Sequence, residues 1–327
     1  MPTACNASSQ HVQFILNGFP GLYTWQHWLF FPFLFMLVLA FLGNISVILI
    51  ITRERCLHEP MYIFFSILAA IDLVSAITLL PELLAILWHG SNSIPFDVCF
   101  AQMYFAYFPT AMESSLLVLM AYDRYVAVCR PLEYYSVVTN QFIIKGSIFI
   151  IIRSFFVVMP LAVIARMLTY NSISIVSNGF CEYFSVINTA CAQTVMSDNY
   201  IIICLFLVVP SDLILTVLSY YKIATISVKL RSKDAQRKIF STCSSHLFVI
   251  LFFYLLGTMH ILTFLFESVF PVYTHSLVSV LYITTPPVLN PLIYGMKSKE
   301  IRLVGTIFAI SHPYIMITNI VITPRTS

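Results

Sequence analysis

The sequence predicts an all-α membrane protein, a seven-transmembrane helix bundle with a short amphipathic interfacial helix at its C-terminal end. Three observations predict it. Of 327 residues, 59% are hydrophobic and only 9% are charged, whereas soluble domains carry about 25% charged residues; such a chain cannot cover a soluble surface. Apolar runs recur at about 20 residues, the length of helix that spans a bilayer. Basic residues collect in alternate connecting segments, as the positive-inside rule requires of a multi-pass chain. The net charge of +3 is small, and no basic, aromatic-interleaved patch points to a nucleic-acid partner.

The elements follow in order. Residues 1–27 form a polar N-terminal tail without Lys or Arg, which lacks the basic start and cleavage site of a signal peptide. Asn6-Ala7-Ser8 in that tail is an N-glycosylation sequon. Asn44-Ile45-Ser46 fits the same pattern but lies within a span, out of the transferase's reach. Seven spans occupy residues 28–296, near 28–52, 60–87, 98–129, 142–165, 198–226, 238–264 and 273–296. Their connections are short, which implies one bundle rather than a string of domains. The longest connection, Arg166 to Ser197, is polar, and a loop of that length in a compact bundle is usually functional. Residues 297–327 form the tail. In KSKEIRLVGTIF, Ile301, Val304 and Phe308 share one helical face while Lys299 and Arg302 lie elsewhere, the pattern of a helix lying in the membrane interface. The tail beyond has no Cys to carry a palmitoyl anchor.

Orientation follows from the basic residues. Arg53 and Arg55 sit in the first loop, Arg130 in the third, Lys229, Arg231, Lys233, Arg237 and Lys238 in the fifth, and Lys297, Lys299 and Arg302 after the last span. Arg166 is the exception. The odd-numbered loops and the C-terminal tail are therefore cytoplasmic and the N-terminus extracellular.

Of eight cysteines, Cys99, Cys181 and Cys191 fall on the outer side, where disulfides form. Spacing alone does not choose among their pairings. Cys56, Cys129 and Cys243 lie at the cytoplasmic face and stay reduced, and Cys204 reads as a small apolar residue in the fifth span.

Asp72, Glu113 and Asp212 interrupt apolar spans. Ionisable groups there are costly, so a functional reading is the default. Asn44 and Asn290 lie at comparable depth. If Asp72, Glu113 and the two amides converge, the two carboxylates cannot both remain charged and unpaired; they hold a proton or a cation such as sodium. The bland alternative is that each is neutral and hydrogen-bonded for packing. A transporter using these carboxylates is the competing functional class, but no internal repeat supports it. No metal-binding His pair at helical spacing and no nucleophile elbow supports an enzyme.

The third span ends in MAYDRYVAVCRPLEY, Met120–Tyr134. Arg124 suits a helix C-terminus, where the dipole is negative, and Asp123 does not. An arginine here can pair with an acid in one state and offer its rigid fork to a partner in another. Plain positive-inside anchoring would explain the Arg but not its acidic neighbour. This stretch resembles the third-helix end of rhodopsin-like G-protein-coupled receptors, and of olfactory receptors in particular. LHEPMYIF (Leu57–Phe64), SYYKI (Ser219–Ile223), RKIFSTCSSHL (Arg237–Leu247) and PPVLNPLIYGMKSKEIR (Pro286–Arg302) are similar to further olfactory signatures, in order over nearly the whole chain. GFPGLYTWQHW (Gly18–Trp28), Arg153 and Asp212 look like the fish-like class I branch.

The resemblance implies roles. Asp123, Arg124 and Tyr125 would form the G-protein switch, with Arg124 meeting the alpha subunit of a stimulatory, cyclase-coupled heterotrimeric G protein. Tyr220, Asn290, Pro291 and Tyr294 would rearrange on activation, and His246 would mark the inner end of a sixth helix that swings outward. Asp72 and Glu113, with Asn44 nearby, would be the sodium or proton site, and Cys99–Cys181 the disulfide. Tyr170 stands where the family often has a further Cys paired with one matching Cys191, so Cys191 is expected to be unpaired and the loop less constrained. Sites for small molecules in bundles lie between helices. The expected odorant pocket draws on Tyr107 and Thr110, Cys204, Tyr254, Thr258, Ile261 and Leu265, and Tyr282. Leu265 replaces a basic residue of some class I relatives and cannot grip a carboxylate; Arg166 or His260 could substitute. The expected protein is a plasma-membrane odorant receptor that does no covalent chemistry, with a transporter and a non-signalling membrane protein as the competing readings.

Overall fold

The computed structural model describes residues 12–90, 92–192, 200, 203–266 and 268–297. Asn6 and the expected interfacial helix fall outside these residues. Seven long helices form the bundle: α1 Gln26–Arg53, α2 Pro60–His89, α3 Phe96–Cys129, α4 Asn140–Arg166, α5 Val209–Lys229, α6 Lys233–Leu265 and α7 Val272–Lys297. Five of them, all but α3 and α5, are long and apolar enough to cross a membrane on composition alone. The chain is a multi-pass helical membrane protein. α3 is less apolar because Glu113, Ser114 and Ser115 sit mid-helix, turned toward neighbouring helices rather than lipid. α5 is entered through a π-helical turn, Cys204–Val208, ahead of its α-helical part.

Local sequence sets the helix ends. Pro60 begins α2, where its missing N–H costs nothing. Gly90 ends it at φ 90°, donating to Ile86 O at 2.7 Å. Thr139 caps α4 by accepting from Phe142 N at 3.2 Å, and Ser232 caps α6 by accepting from Ala235 N at 3.3 Å. α3 is the central post, packed against α2, α4, α5 and α6.

Pro291 shows how a kinked helix is repaired. Having no N–H, it cannot bond the carbonyl of Pro287, four residues earlier. Asn44 of α1 reaches across and donates its amide to that oxygen at 2.7 Å. The approach is close: a Cβ on Gly43 would lie 2.8 Å from Pro291 Cγ, so only glycine lets α1 come near enough.

Nothing in the polar tail announces a sheet, yet one closes one end of the bundle. Its strands are β1 Gln13–Leu16, β2 Asn92–Pro95 and β3 Ile173–Val176, in the order β2-β1-β3. β1 runs antiparallel to β2, with Phe14 opposite Ile94, and parallel to β3, with Phe14 beside Ser174. Phe14 and Leu16 point inward, and the Phe14 ring meets Phe96, Phe100 and Tyr170 at 6.0, 5.9 and 5.1 Å. Tyr170 is buried in this aromatic cluster and donates its hydroxyl to Ala165 O at 2.7 Å. Burial raises that hydroxyl's pKa, so it stays a donor.

One expectation is corrected here. Cys191 is disulfide-bonded rather than unpaired. Its N–H donates to Thr169 O at 2.9 Å, and Tyr170 bridges Ala190. The long loop is therefore held by strand pairing and by disulfides, including Cys99–Cys181 with Cα atoms 5.4 Å apart.

Candidate functional site: a cavity and a latched helix end

A cavity of about 170 Å³ opens among α3, α4, α5, α6 and α7 in the half of the bundle nearer the sheet. Seven of the eight residues expected at a ligand site line it. Tyr107 and Thr110 come from α3, Cys204 from the turn before α5, Tyr254, Thr258 and Ile261 from α6, and Tyr282 from α7. Leu265 does not: it is 66% exposed. It occupies the last position of α6, about 100° round the helix from Phe264. Phe264 is the residue that faces the loop, stacking on Phe184 with centroids 3.6 Å apart.

Glu182 holds Tyr107, one of the cavity's lining residues, from behind. The disulfide at Cys181 ties the loop to the start of α3, and the next residue's carboxylate is buried. It accepts from Tyr107 Oη at 2.8 Å and from Ser185 N at 2.7 Å, and lies 3.8 Å from His260 Nε2. His260 stacks on Tyr282 with centroids 5.6 Å apart. Arg166 lies away from the cavity, donating to Asp97 at 2.8 Å beside the Phe96 ring. Neither expected substitute, Arg166 or His260, lines the cavity. The role of Glu182 escaped sequence reading because nothing in a polar loop marks which carboxylate is turned inward.

The cavity floor holds a pair that was seen in the sequence only as two separate residues. Arg153 of α4 forks onto Asp212 of α5, Nη2 to Oδ1 at 2.8 Å and Nη1 to Oδ2 at 3.0 Å. Ser114 donates to the same Asp212 Oδ2 at 2.8 Å, and Arg153 also donates to Ser115. The usable signal was two opposite charges, each alone in an apolar span, since a buried charge requires a partner.

Deeper in the bundle, Asp72, Glu113 and Asn290 meet. Asn290 donates to Asp72 at 3.0 and 3.2 Å and to Glu113 at 3.0 Å, and all three side chains are buried. Asn44 borders a cavity of about 10 Å³ beside Asp72 and Asn290. Its amide donates to Ala40 and Pro287 carbonyls, not to the carboxylates. Among the described residues no group of three or more His, Cys, Asp or Glu is placed to hold a metal ion.

At the end of the bundle opposite the sheet, Arg124 is folded back on its neighbour. Its Nε and Nη2 both donate to Asp123 Oδ2, the former at 2.8 Å. Tyr134, on a short helix after α3, donates to Asp123 Oδ1 at 2.7 Å. Burial and then the Asp123 charge push the Tyr134 hydroxyl's pKa up, so it remains a donor. Asp123 is thus held on both oxygens. Tyr220 of α5 bonds His246 Nδ1 of α6 at 2.7 Å. Tyr294 of α7 is buried against Phe65 of α2, centroids 4.0 Å apart. Tyr125 is half-buried beside Tyr122.

A family model for olfactory receptors matches residues 33–310 of this chain. The chain belongs to the olfactory receptor family. Olfactory receptor 56B2 of Homo sapiens is 40% identical over 89% of this chain and 92% of its own length. Olfactory receptor 56A5 of Homo sapiens is 35% identical over 91% and 95%. Olfactory receptor 56B34 of Mus musculus is 38% identical over 91% and 92%. An olfactory receptor is a receptor and not an enzyme.

Proposed function

We propose that the receptor is a ligand-gated exchange factor for a heterotrimeric G protein of the stimulatory, cyclase-coupled type. A small organic odorant binds in the 170 Å³ cavity. The ligand binds the active arrangement of α5, α6 and α7 more tightly than the resting one, and the population shifts by that differential affinity. The sheet end faces outward at the plasma membrane, and the Asp123–Arg124 end faces the cytoplasm, in keeping with the basic residues at Arg53, Arg130 and Lys229–Lys233.

The observation that carries the reading is the doubly held Asp123. With Arg124 folded onto it and Tyr134 bonded to its other oxygen, the arginine is sequestered, and its fork becomes available to a partner only when the pair opens. The Tyr220–His246 bond closes α5 onto α6 beside it. Asp72 and Glu113 hold a proton or a sodium ion between them when both would otherwise be charged. The flanking cavities of about 10 Å³ admit roughly one water-sized body, which favours a held ion over a transport path.

The test is cyclic AMP in cells expressing the receptor beside Arg124→Ala, with surface staining as control, against a panel of alcohols, aldehydes, acids and amines. A ligand response lost in Arg124→Ala at equal surface level supports the reading. A response that survives the substitution ends it, and ligand-driven ion flux without a G protein would move the protein to the transporter class.

A further inference from the structure

Among the described residues lining the large cavity, two carry formal charge, Arg153 and Asp212, and they cancel. Both Asp212 oxygens already accept from the Arg153 fork, and Oδ2 also accepts from Ser114. Arg153 is further held by Ser115. A carboxylate entering the cavity would have to displace Asp212 from a two-point contact. An ammonium would have to displace Arg153. Either exchange leaves one member of the pair, the buried Asp212 or the half-buried Arg153, without its partner, which is unfavourable. His260 and Arg166 do not line the cavity, and Arg166 is paired with Asp97.

What remains for a ligand is a neutral hydrogen-bonding group. Ser154, next to Arg153 on α4, is 1% exposed and lines the cavity, and its Oγ has no hydrogen-bond partner among the described residues. The wall beyond it is aliphatic: Val157, Leu161, Val208 and Ile261. An engineered cavity of about 150 Å³ holds benzene, so one of about 170 Å³ suits a ligand of roughly six to ten non-hydrogen atoms.

Building on the receptor reading, we propose that the Arg153–Asp212 pair sets the charge class of the ligand. The cavity takes an uncharged molecule with one oxygen headgroup, an alcohol, aldehyde or ketone, whose oxygen bonds Ser154 and whose chain lies on the aliphatic wall. Carboxylates and amines are rejected because the two charges of the cavity already satisfy each other. Removing one partner inverts the preference. Asp212→Asn exposes an unpaired cation and recruits carboxylates; Arg153→Met exposes an unpaired anion and recruits amines.

The experiment is direct binding of 1-hexanol, hexanal, hexanoate and hexylamine to the solubilised full-length receptor, run beside the cyclic AMP assay. In the native receptor hexanol or hexanal binds at least about tenfold more tightly than either ion. Asp212→Asn moves the hexanoate-to-hexanol ratio toward hexanoate by about tenfold or more. Ser154→Ala weakens hexanol by about fivefold, the loss of one hydrogen bond. Should Asp212→Asn fail to fold, Arg153→Met/Asp212→Leu, which removes both charges, decides instead: it keeps hexanol and gains neither ion. Hexanoate binding the native receptor as well as hexanol, an unmoved ratio in Asp212→Asn, a gain of hexanoate in the double variant, or no binding by any probe overturns the proposal. Binding in the expected order without a cyclic AMP response upholds it while removing the G-protein reading, so the two fail separately.

Discussion

Asn44→Leu should destabilise the receptor by about 1 kcal/mol, and the reason lies in α7. The native amide makes two bonds, to Ala40 O and to Pro287 O. Ala40 O also accepts from the α1 backbone, so losing the side-chain bond there costs little. Pro287 O has no helical donor because position 291 is proline. An orphaned buried carbonyl costs about 1–3 kcal/mol, while interhelical hydrogen bonds in membrane proteins average about 0.6 and reach about 1.7 kcal/mol. Leucine matches the volume and also deletes Asn44 Oδ1, itself buried without a partner among the described residues, which offsets part of the loss. The balance is about 1 kcal/mol, roughly fivefold in the folded-to-unfolded ratio. The decisive assay is a four-member cycle of thermal unfolding in detergent: native, Asn44→Leu, Pro291→Ala and both. Alanine at 291 restores the N–H that Pro287 O lacks, so Asn44→Leu should cost much less in that background. Equal cost in both backgrounds refutes the reasoning.

Other outcomes follow from the same geometry. Tyr134→Phe removes one charge-assisted hydrogen bond from Asp123, worth about 1.5–3 kcal/mol, and should raise ligand-free cyclic AMP at equal surface level; an unchanged basal signal means Tyr134 does not hold the latch. Gly43→Val places a side chain where Pro291 Cγ would be 2.8 Å from its Cβ, an overpacking cost of about 1–3 kcal/mol, read as reduced surface expression and thermal stability. Cys181→Ser opens a link across 82 residues, worth roughly 4 kcal/mol, and releases the loop that carries Glu182 from the start of α3; loss of surface protein is expected. Glu182→Gln keeps the shape but weakens the hold on Tyr107, so ligand affinity should fall severalfold while unfolding temperature moves little.

What the sequence disclosed follows the strength of its signals. Apolar runs of bilayer length announce helices because lipid leaves a backbone no other choice. The Asp-Arg-Tyr end was legible because an acid there works against the helix dipole. The expected lining came from the family resemblance rather than from helix facing, and Leu265 departs from it because it sits at the last position of α6, turned away from the cavity. The sheet was illegible for a different reason. Its strands are four residues each, and in β3 the exposed positions are Ile173 and Ile175 while Ser174 is buried, the reverse of the usual alternation. The Arg153–Asp212 pairing needed knowledge of which helices touch, which spacing along a chain does not carry.

The middle strand of the sheet is the first part of it to be made. β1 precedes every helix, β2 follows α2, and β3 follows α4. At about 5–20 residues per second of synthesis, Phe14 waits roughly ten to thirty seconds for its last neighbour. Until then the backbone groups that β1 pairs in the finished sheet have no strand partner on that side. They are all paired only when four helices have been threaded with the correct polarity, because a single inverted helix would deliver β2 or β3 to the wrong side of the bilayer. The small sheet therefore ties together three points of the chain that four helices separate, and it is complete only when all three lie at the same end of the bundle.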